Sequence, residues 1–162
     1  MNKFARFSML LLIITALFAG YGCTKGGVNG PDGSATDGQA GGPATIEEAA
    51  NYIKTAPVYF AYDRFDLDAT AKADLKAKAD LMKRFSNIKV QVEGHCDERG
   101  TEEYNLALGE RRARAAYDYL LMLGVNPAQL STHSYGKMYP AVQGNSEEAW
   151  SKNRRDEFRV TY

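Results

Sequence analysis

Cysteine is nearly missing from this chain, with two among 162 residues, Cys23 and Cys96. That is too few for a disulfide framework, and no Cys-x-x-Cys pair is present. Histidine is as scarce, and His95 and His133 stand in no His-x-x-x-His or Cys/His spacing that makes a zinc site. A cluster of His95, Asp97 and Glu98 is conceivable on paper, but side chains adjacent in sequence seldom converge without strain. Net charge is also lacking: 20 Lys and Arg balance 20 Asp and Glu. No broad basic face follows, which argues against nucleic acid as a partner. No apolar run reaches the roughly 20 residues of a comfortable membrane span, no internal repeat is evident, and nothing implies a cofactor. At this length there is room for one domain of ordinary globular composition.

What is present begins with a charged and apolar N-terminus. MNKFARF supplies Lys3 and Arg6 without an acid, and SMLLLIITALFAG supplies an apolar core of secretory-signal length. Small residues then lead to a cysteine in AGYGC. Bacterial lipoprotein signals end in a small residue followed by a cysteine whose thiol accepts a diacylglycerol, and Gly22–Cys23 fits those positions. Gly20 departs from the usual aliphatic residue three positions before the cysteine, and ordinary cleavage near Ala19 is the alternative. The expectation is a signal peptide over 1–22 and a lipidated Cys23. Thr24 stands where an aspartate would signal inner-membrane retention, which favours the outer membrane. With Cys23 acylated, Cys96 is a lone thiol in a compartment that permits disulfides.

Residues 24–44, TKGGVNGPDGSATDGQAGGPA, hold almost no large apolar side chain. Such a segment buries too little surface to offset its ordering entropy. It reads with Cys23 as a flexible tether over 23–44, about 25 Å end to end when relaxed and roughly 70 Å when taut. A folded unit is expected over 45–162. Thr45 and Glu48 stand at capping-box spacing, which predicts a short helix over 46–54. Pro57 stops it, and PVYFAY reads as a strand. Asp68 caps a second helix with Leu75, Ala79, Met82 and Phe85 on one face. IKVQVEG alternates as a strand. A long helix follows over about Glu102–Leu123, ended by Gly124 and Pro127. STHSYG is a third strand, SEEAWSKNRR a short helix and DEFRVTY a final strand. The main elements run β-α-β-α-β-β, an α/β (α+β) sandwich with helices packed on one mixed sheet.

The stretch GHCDERGTEEYNLALGERRARA at 94–115 carries the chemistry. His95 and Cys96 look like a catalytic pair, but neighbours on a strand point to opposite faces, and nothing local recommends His133 as a base. Charged-ligand capture fits better. On a helix, Asn105, Leu108 and Arg112 share one face, and Asp97 sits in the turn entering it. An aspartate and an arginine not paired to each other would offer a zwitterion one partner for its ammonium and a two-pronged partner for its carboxylate. Periodicity alone leaves this level with a structural ion pair or solvated helix charges, and Arg111 and Arg114 fit the solvated description.

The same stretch resembles the peptidoglycan-associated lipoproteins of Gram-negative bacteria, within the OmpA-like C-terminal domain family. The shared pattern is Gly94, Asp97, Asn105, Leu108, Gly109, Arg112 and Ala113, with further likeness in VYFAYDRFDLD at 58–68, SYGKMYPAV at 134–142 and SKNRRDEFRV at 151–160. The resemblance covers most of 57–162. It implies noncovalent binding to peptidoglycan through the diaminopimelate of its stem peptides, Asp97 holding the ammonium and Arg112 the carboxylate. It also implies that Asp63, Phe65, Asp66 and Leu67 close the site, that Asn105 and Leu108 shape it, and that Arg155 lies near it. Cys96 stands where relatives often carry Ala or Thr, and His95 reads as structural or rim-lining. The resemblance implies no enzyme activity. Its expected partners are the outer membrane through the lipid, the cell wall, and the TolB β-propeller of the Tol–Pal system. A lipoprotein adaptor or adhesin that uses the same fold to bind a protein is the alternative. A motor stator would need a long inner-membrane helix, and an OmpA-type porin would need barrel strands for which no residues are left.

Overall fold

The computed structural model describes Pro43 and residues 45–162. The expected signal peptide, the lipidated Cys23 and the tether lie outside the described residues. The elements are α1 (Ile46–Thr55), β1 (Val58–Tyr59), α2 (Ala69–Arg84), β2 (Lys89–His95), α3 (Glu102–Met122), a 3₁₀ turn (Pro127–Gln129), β3 (Leu130–Gly136), α4 (Glu147–Asn153) and β4 (Arg155–Thr161). The four strands form one mixed sheet in the order β1-β4-β2-β3. β4 runs antiparallel to both β1 and β2, and β2 and β3 are parallel with α3 as their crossover. This is the expected α/β fold with helices on one mixed sheet.

Local chemistry explains where the helices start. The Thr45 hydroxyl accepts from the Glu48 amide at 3.2 Å while the Glu48 carboxylate accepts from the Thr45 amide at 3.2 Å, the reciprocal box expected at α1. Asp68 caps α2 by accepting from the Ala71 amide at 2.7 Å, and Thr101 caps α3 by accepting from the Tyr104 amide at 3.2 Å. The expected strand over PVYFAY keeps only Val58 and Tyr59. Beyond them the Phe60 amide donates to the Arg154 carbonyl at 2.9 Å, the Arg64 amide turns back to the Ala61 carbonyl, and Asp63 adopts a left-handed φ of 56°. That turn carries residues 61–64 off the sheet and over the N-terminal half of α3.

The core lies between the sheet and the helices. Val58, Val90, Val92 and Phe158 meet Ile53, Leu75, Met82, Ala116 and Leu120, all nearly inaccessible to water. The α2 face expected from periodicity is borne out at Leu75, Ala79 and Met82, while Phe85 is only partly buried. Every residue of this core falls within 46–160, so a fragment of residues 43–162 retains all of it. The Lys78 ammonium is a buried exception. It donates to the Ile53 carbonyl at 2.9 Å, sits 4.6 Å from the Phe158 ring centre, and burial pulls its pKa down to about 8. Helix α3 comes unusually close to the sheet because glycines face each other there. A Cβ on Gly94 would stand 2.0 Å from the Gly109 carbonyl oxygen, and one on Gly109 would stand 2.3 Å from the Ser134 hydroxyl. This contact fixes the height of α3 above the end of β2, and with it the distance between Asp97 and Arg112.

Candidate functional site

Where β2 ends and α3 begins, a cavity of about 160 Å³ opens under the 61–64 turn. Asp97 and Arg99 form one wall, Asn105, Leu108 and Arg112 of α3 form the floor, and Tyr62 and Asp63 overhang it. Five residues singled out in the sequence thus meet here: Asp63, Asp97, Asn105, Leu108 and Arg112. The other four do not line it. Phe65 is half exposed and lies in a shallow apolar groove beside Arg111, Arg114 and Ala115. Asp66 forms an exposed ion pair with Arg64 at 2.6 Å, and Leu67 packs against the core.

Arg155 also points elsewhere. It bonds Glu157 at 2.6 Å and the Tyr139 carbonyl at 3.3 Å on the face of the sheet that carries no core. Successive residues of an extended chain face opposite sides, so its neighbour Arg154 is the arginine that reaches the cavity wall. Arg154 donates to Asp97 Oδ2 at 3.3 Å, to the Phe60 carbonyl at 3.0 Å and to Glu147 at 2.5 Å.

Arg112 is completely buried. Its guanidinium donates to the carbonyls of Arg64 at 2.8 Å, His95 at 2.9 Å and Ala61 at 3.2 Å, and touches Cys96 Sγ at 3.4 Å. A guanidinium has five N–H donors, so one stays without a partner among the described residues. Burial pulls its pKa down from the usual value, with the acids around it pulling the other way, and a guanidinium under such conditions is still a cation. The three carbonyls belong to the overhanging turn and the end of β2, so Arg112 holds the cavity's roof to its floor.

Asp97 is not paired with Arg112, but neither is it vacant. Oδ1 accepts from the Arg99 amide at 3.1 Å and Arg99 Nε at 3.0 Å, and Oδ2 accepts from Arg99 Nη2 at 2.7 Å and from Arg154. A carboxylate has about four acceptor positions, and all are in use. Burial opposes ionisation of Asp97, yet the hydrogen bonds from Arg99 and Arg154 together hold its carboxyl below the usual range. Arg99 is clasped between the rings of Tyr62 and Trp150, 4.0 Å from each ring centre, an arrangement that favours a planar cation. Asn105 secures the loop by donating to the carbonyls of Arg99 and Thr101 at 2.8 and 2.9 Å. The Asp63 carboxylate accepts from the Tyr104 hydroxyl at the cavity mouth.

Cys96 offers no nucleophile. Its thiol is buried against α3 beside the Asn105 carbonyl at 3.4 Å, and burial pushes its pKa up to about 11. His95 points to the opposite face and takes no part in the cavity. Sequence reasoning missed Arg99, Arg154 and Tyr62. Strand alternation at the Arg154–Arg155 pair was the available signal for one of them; nothing local marked the other two.

A family model described as OmpA family matches residues 59–154. The chain belongs to the OmpA family. Within the family, it is 43% identical over 98% of both chains to a Pseudomonas putida protein named peptidoglycan-associated lipoprotein. It is 44% identical to a protein of that name from Pasteurella multocida, over 73% of this chain and 77% of that one. Among solved structures, the peptidoglycan-associated lipoprotein from Burkholderia pseudomallei matches with a TM-score of 0.64 at 38% identity, covering 65% of this chain and 89% of that one. The C-terminal domain of Helicobacter pylori MotB matches with a TM-score of 0.62 at 25% identity, covering 66% and 84%. The matched region contains every residue that lines the cavity, from Tyr62 to Arg112, and Arg154 behind Asp97.

Proposed function

We propose that residues 45–162 bind peptidoglycan noncovalently, taking the free amino-acid end of diaminopimelate in the cavity between Asp97 and Arg112. The observation that carries this reading is that Asp97 and Arg112 line a single small cavity without being paired to each other. Diaminopimelate ends in an ammonium and a carboxylate on one carbon, and a cell wall built with lysine lacks that carboxylate. The carboxylate meets the remaining N–H of Arg112. The ammonium takes acceptor positions on Asp97 that Arg99 holds, and Arg99 slides outward between Tyr62 and Trp150. Asp63 and Tyr104 close the mouth. Arg154 keeps Asp97 oriented throughout.

In the same reading Cys23 carries lipid in the outer membrane, and 24–44 is the leash between membrane and wall. A modest grip per copy suffices, because many anchored copies face a polymer of repeated ligands and effective concentration raises the total hold. TolB, and with it the Tol–Pal system of envelope integrity and cell division, is the proposed protein partner. The protein acts as a tether, not an enzyme. Co-sedimentation of the 43–162 fragment with diaminopimelate-type sacculi tests the reading. Wild type and Cys96→Ala pellet with the wall, whereas Asp97→Ala and Arg112→Ala stay in solution. Wild type remaining in the supernatant would direct the search to a protein partner instead.

A further inference from the structure

The face of the sheet without helices holds a second constellation, away from the cavity. β2 and β4 pair with Glu93 directly opposite Glu157, and like charges in that position repel. His95, two residues along β2, joins them on the same face, and one donor atom from each of the three lies within 4.8 Å of the others. Glu93 and His95 are at least nine-tenths buried, yet Glu93 Oε1 and both His95 ring nitrogens have no hydrogen-bond partner among the described residues. Buried polar atoms left in this state cost stability unless something else satisfies them. The spacing of histidine and cysteine along the chain gives no hint of this group, because a strand pairing creates it.

We propose that Glu93, His95 and Glu157 form a binding site for a divalent transition-metal ion, with Zn²⁺ as the best fit. One imidazole and two carboxylates are a donor set that suits zinc among the common divalent ions, and three protein ligands leave a position for water. Ligands on one tetrahedral zinc stand roughly 3.5 Å apart at the usual bond lengths, so the set closes by a small movement. Glu157 makes it, since its side chain is nearly half exposed. Only one of its oxygens is engaged, by Arg155 at 2.5 Å, and the other is free to coordinate. The Tyr135 ring stacks on His95 at 5.4 Å between centres, which fixes the plane of the imidazole. Arg155 and Arg159 work against the ion, and the two carboxylates offset them.

Zinc titration into the metal-free 43–162 fragment, read by calorimetry and by zinc content after dialysis, tests the site. Wild type takes up one zinc per chain saturably. Glu157→Gln, a half-exposed change outside the core, weakens uptake by more than the roughly 10–100-fold expected for a merely supporting residue. His133→Gln, on the neighbouring strand but outside the triad, binds as wild type does. No saturable uptake by wild type, equal affinity in Glu157→Gln, or an equal loss in His133→Gln would each overturn the assignment.

Discussion

The two faces of the sheet bury charge in opposite ways. On the helix-covered face, Arg112 spends four of its five donors and Asp97 all of its acceptor positions on neighbours. On the face without helices, Glu93 and His95 lie almost as deep, and among the described residues Glu93 Oε1 and both His95 ring nitrogens have no partner. The contrast teaches that depth does not mark a binding group. A tied charge is pre-oriented, and a ligand must exchange with its existing partner, which confers selectivity. An untied one has nothing to exchange and is completed by whatever ion or proton fits.

Substitutions can break or sharpen that contrast. Arg112→Ala has the largest effect, because it strands the carbonyls of Ala61, Arg64 and His95 and opens a void. It should cost about 3–5 kcal/mol of stability in chemical denaturation. Gly94→Ala drives a methyl group into the backbone of Gly109. It should cost about 3 kcal/mol and, by lifting α3, weaken wall binding although no ligand contact is touched.

Asp97→Asn is next, at about 1.5–3 kcal/mol near neutral pH. Because the folded carboxyl titrates below the unfolded one, its contribution is fully present above the unfolded value of about 3.9. It is lost as pH falls through the lower folded value. Denaturation curves of the variant should therefore flatten on the acid side, while wild type steepens there.

Asp156 is the exception on the covered face. It is fully buried beside Arg112, neither oxygen has a hydrogen-bond partner among the described residues, and burial pushes its pKa well above the usual range. Its sign is the reverse of that for Asp97: stability is greatest with the group protonated and falls as pH rises through the folded value. Asp156→Asn should remove that alkaline loss, making the variant more stable than wild type by about 1–3 kcal/mol at high pH, with the gap closing toward pH 4. Glu157→Gln on the face without helices should change stability least, by no more than about 0.5 kcal/mol, in the absence of metal.

Much of this was legible in the sequence, and the limits have physical causes. Thr45, Asp68 and Thr101 act through bonds to residues three positions on, so local spacing reveals the helix starts. The face of α3 carrying Asn105, Leu108 and Arg112 follows from helical period. The β1-β4-β2-β3 order does not, because strand partners far apart in sequence leave no periodic trace. That is why Glu157 could not be placed opposite Glu93, nor Arg154 against Asp97. The strand over PVYFAY was overextended because propensity sees aromatic residues and not the left-handed turn at Asp63. The ion pair that periodicity left open for Asp97 is formed with Arg99, two residues on, which Tyr62 and Trp150 hold in place from distant segments.

The central claim is most directly tested by calorimetric titration of the 43–162 fragment with two soluble stem peptides, one containing diaminopimelate and one containing lysine in its place. The account predicts saturable binding of the first, none of the second, and loss of the first in Asp97→Asn with the fold intact by circular dichroism. Equal binding of both peptides, or unchanged binding in Asp97→Asn, would contradict it.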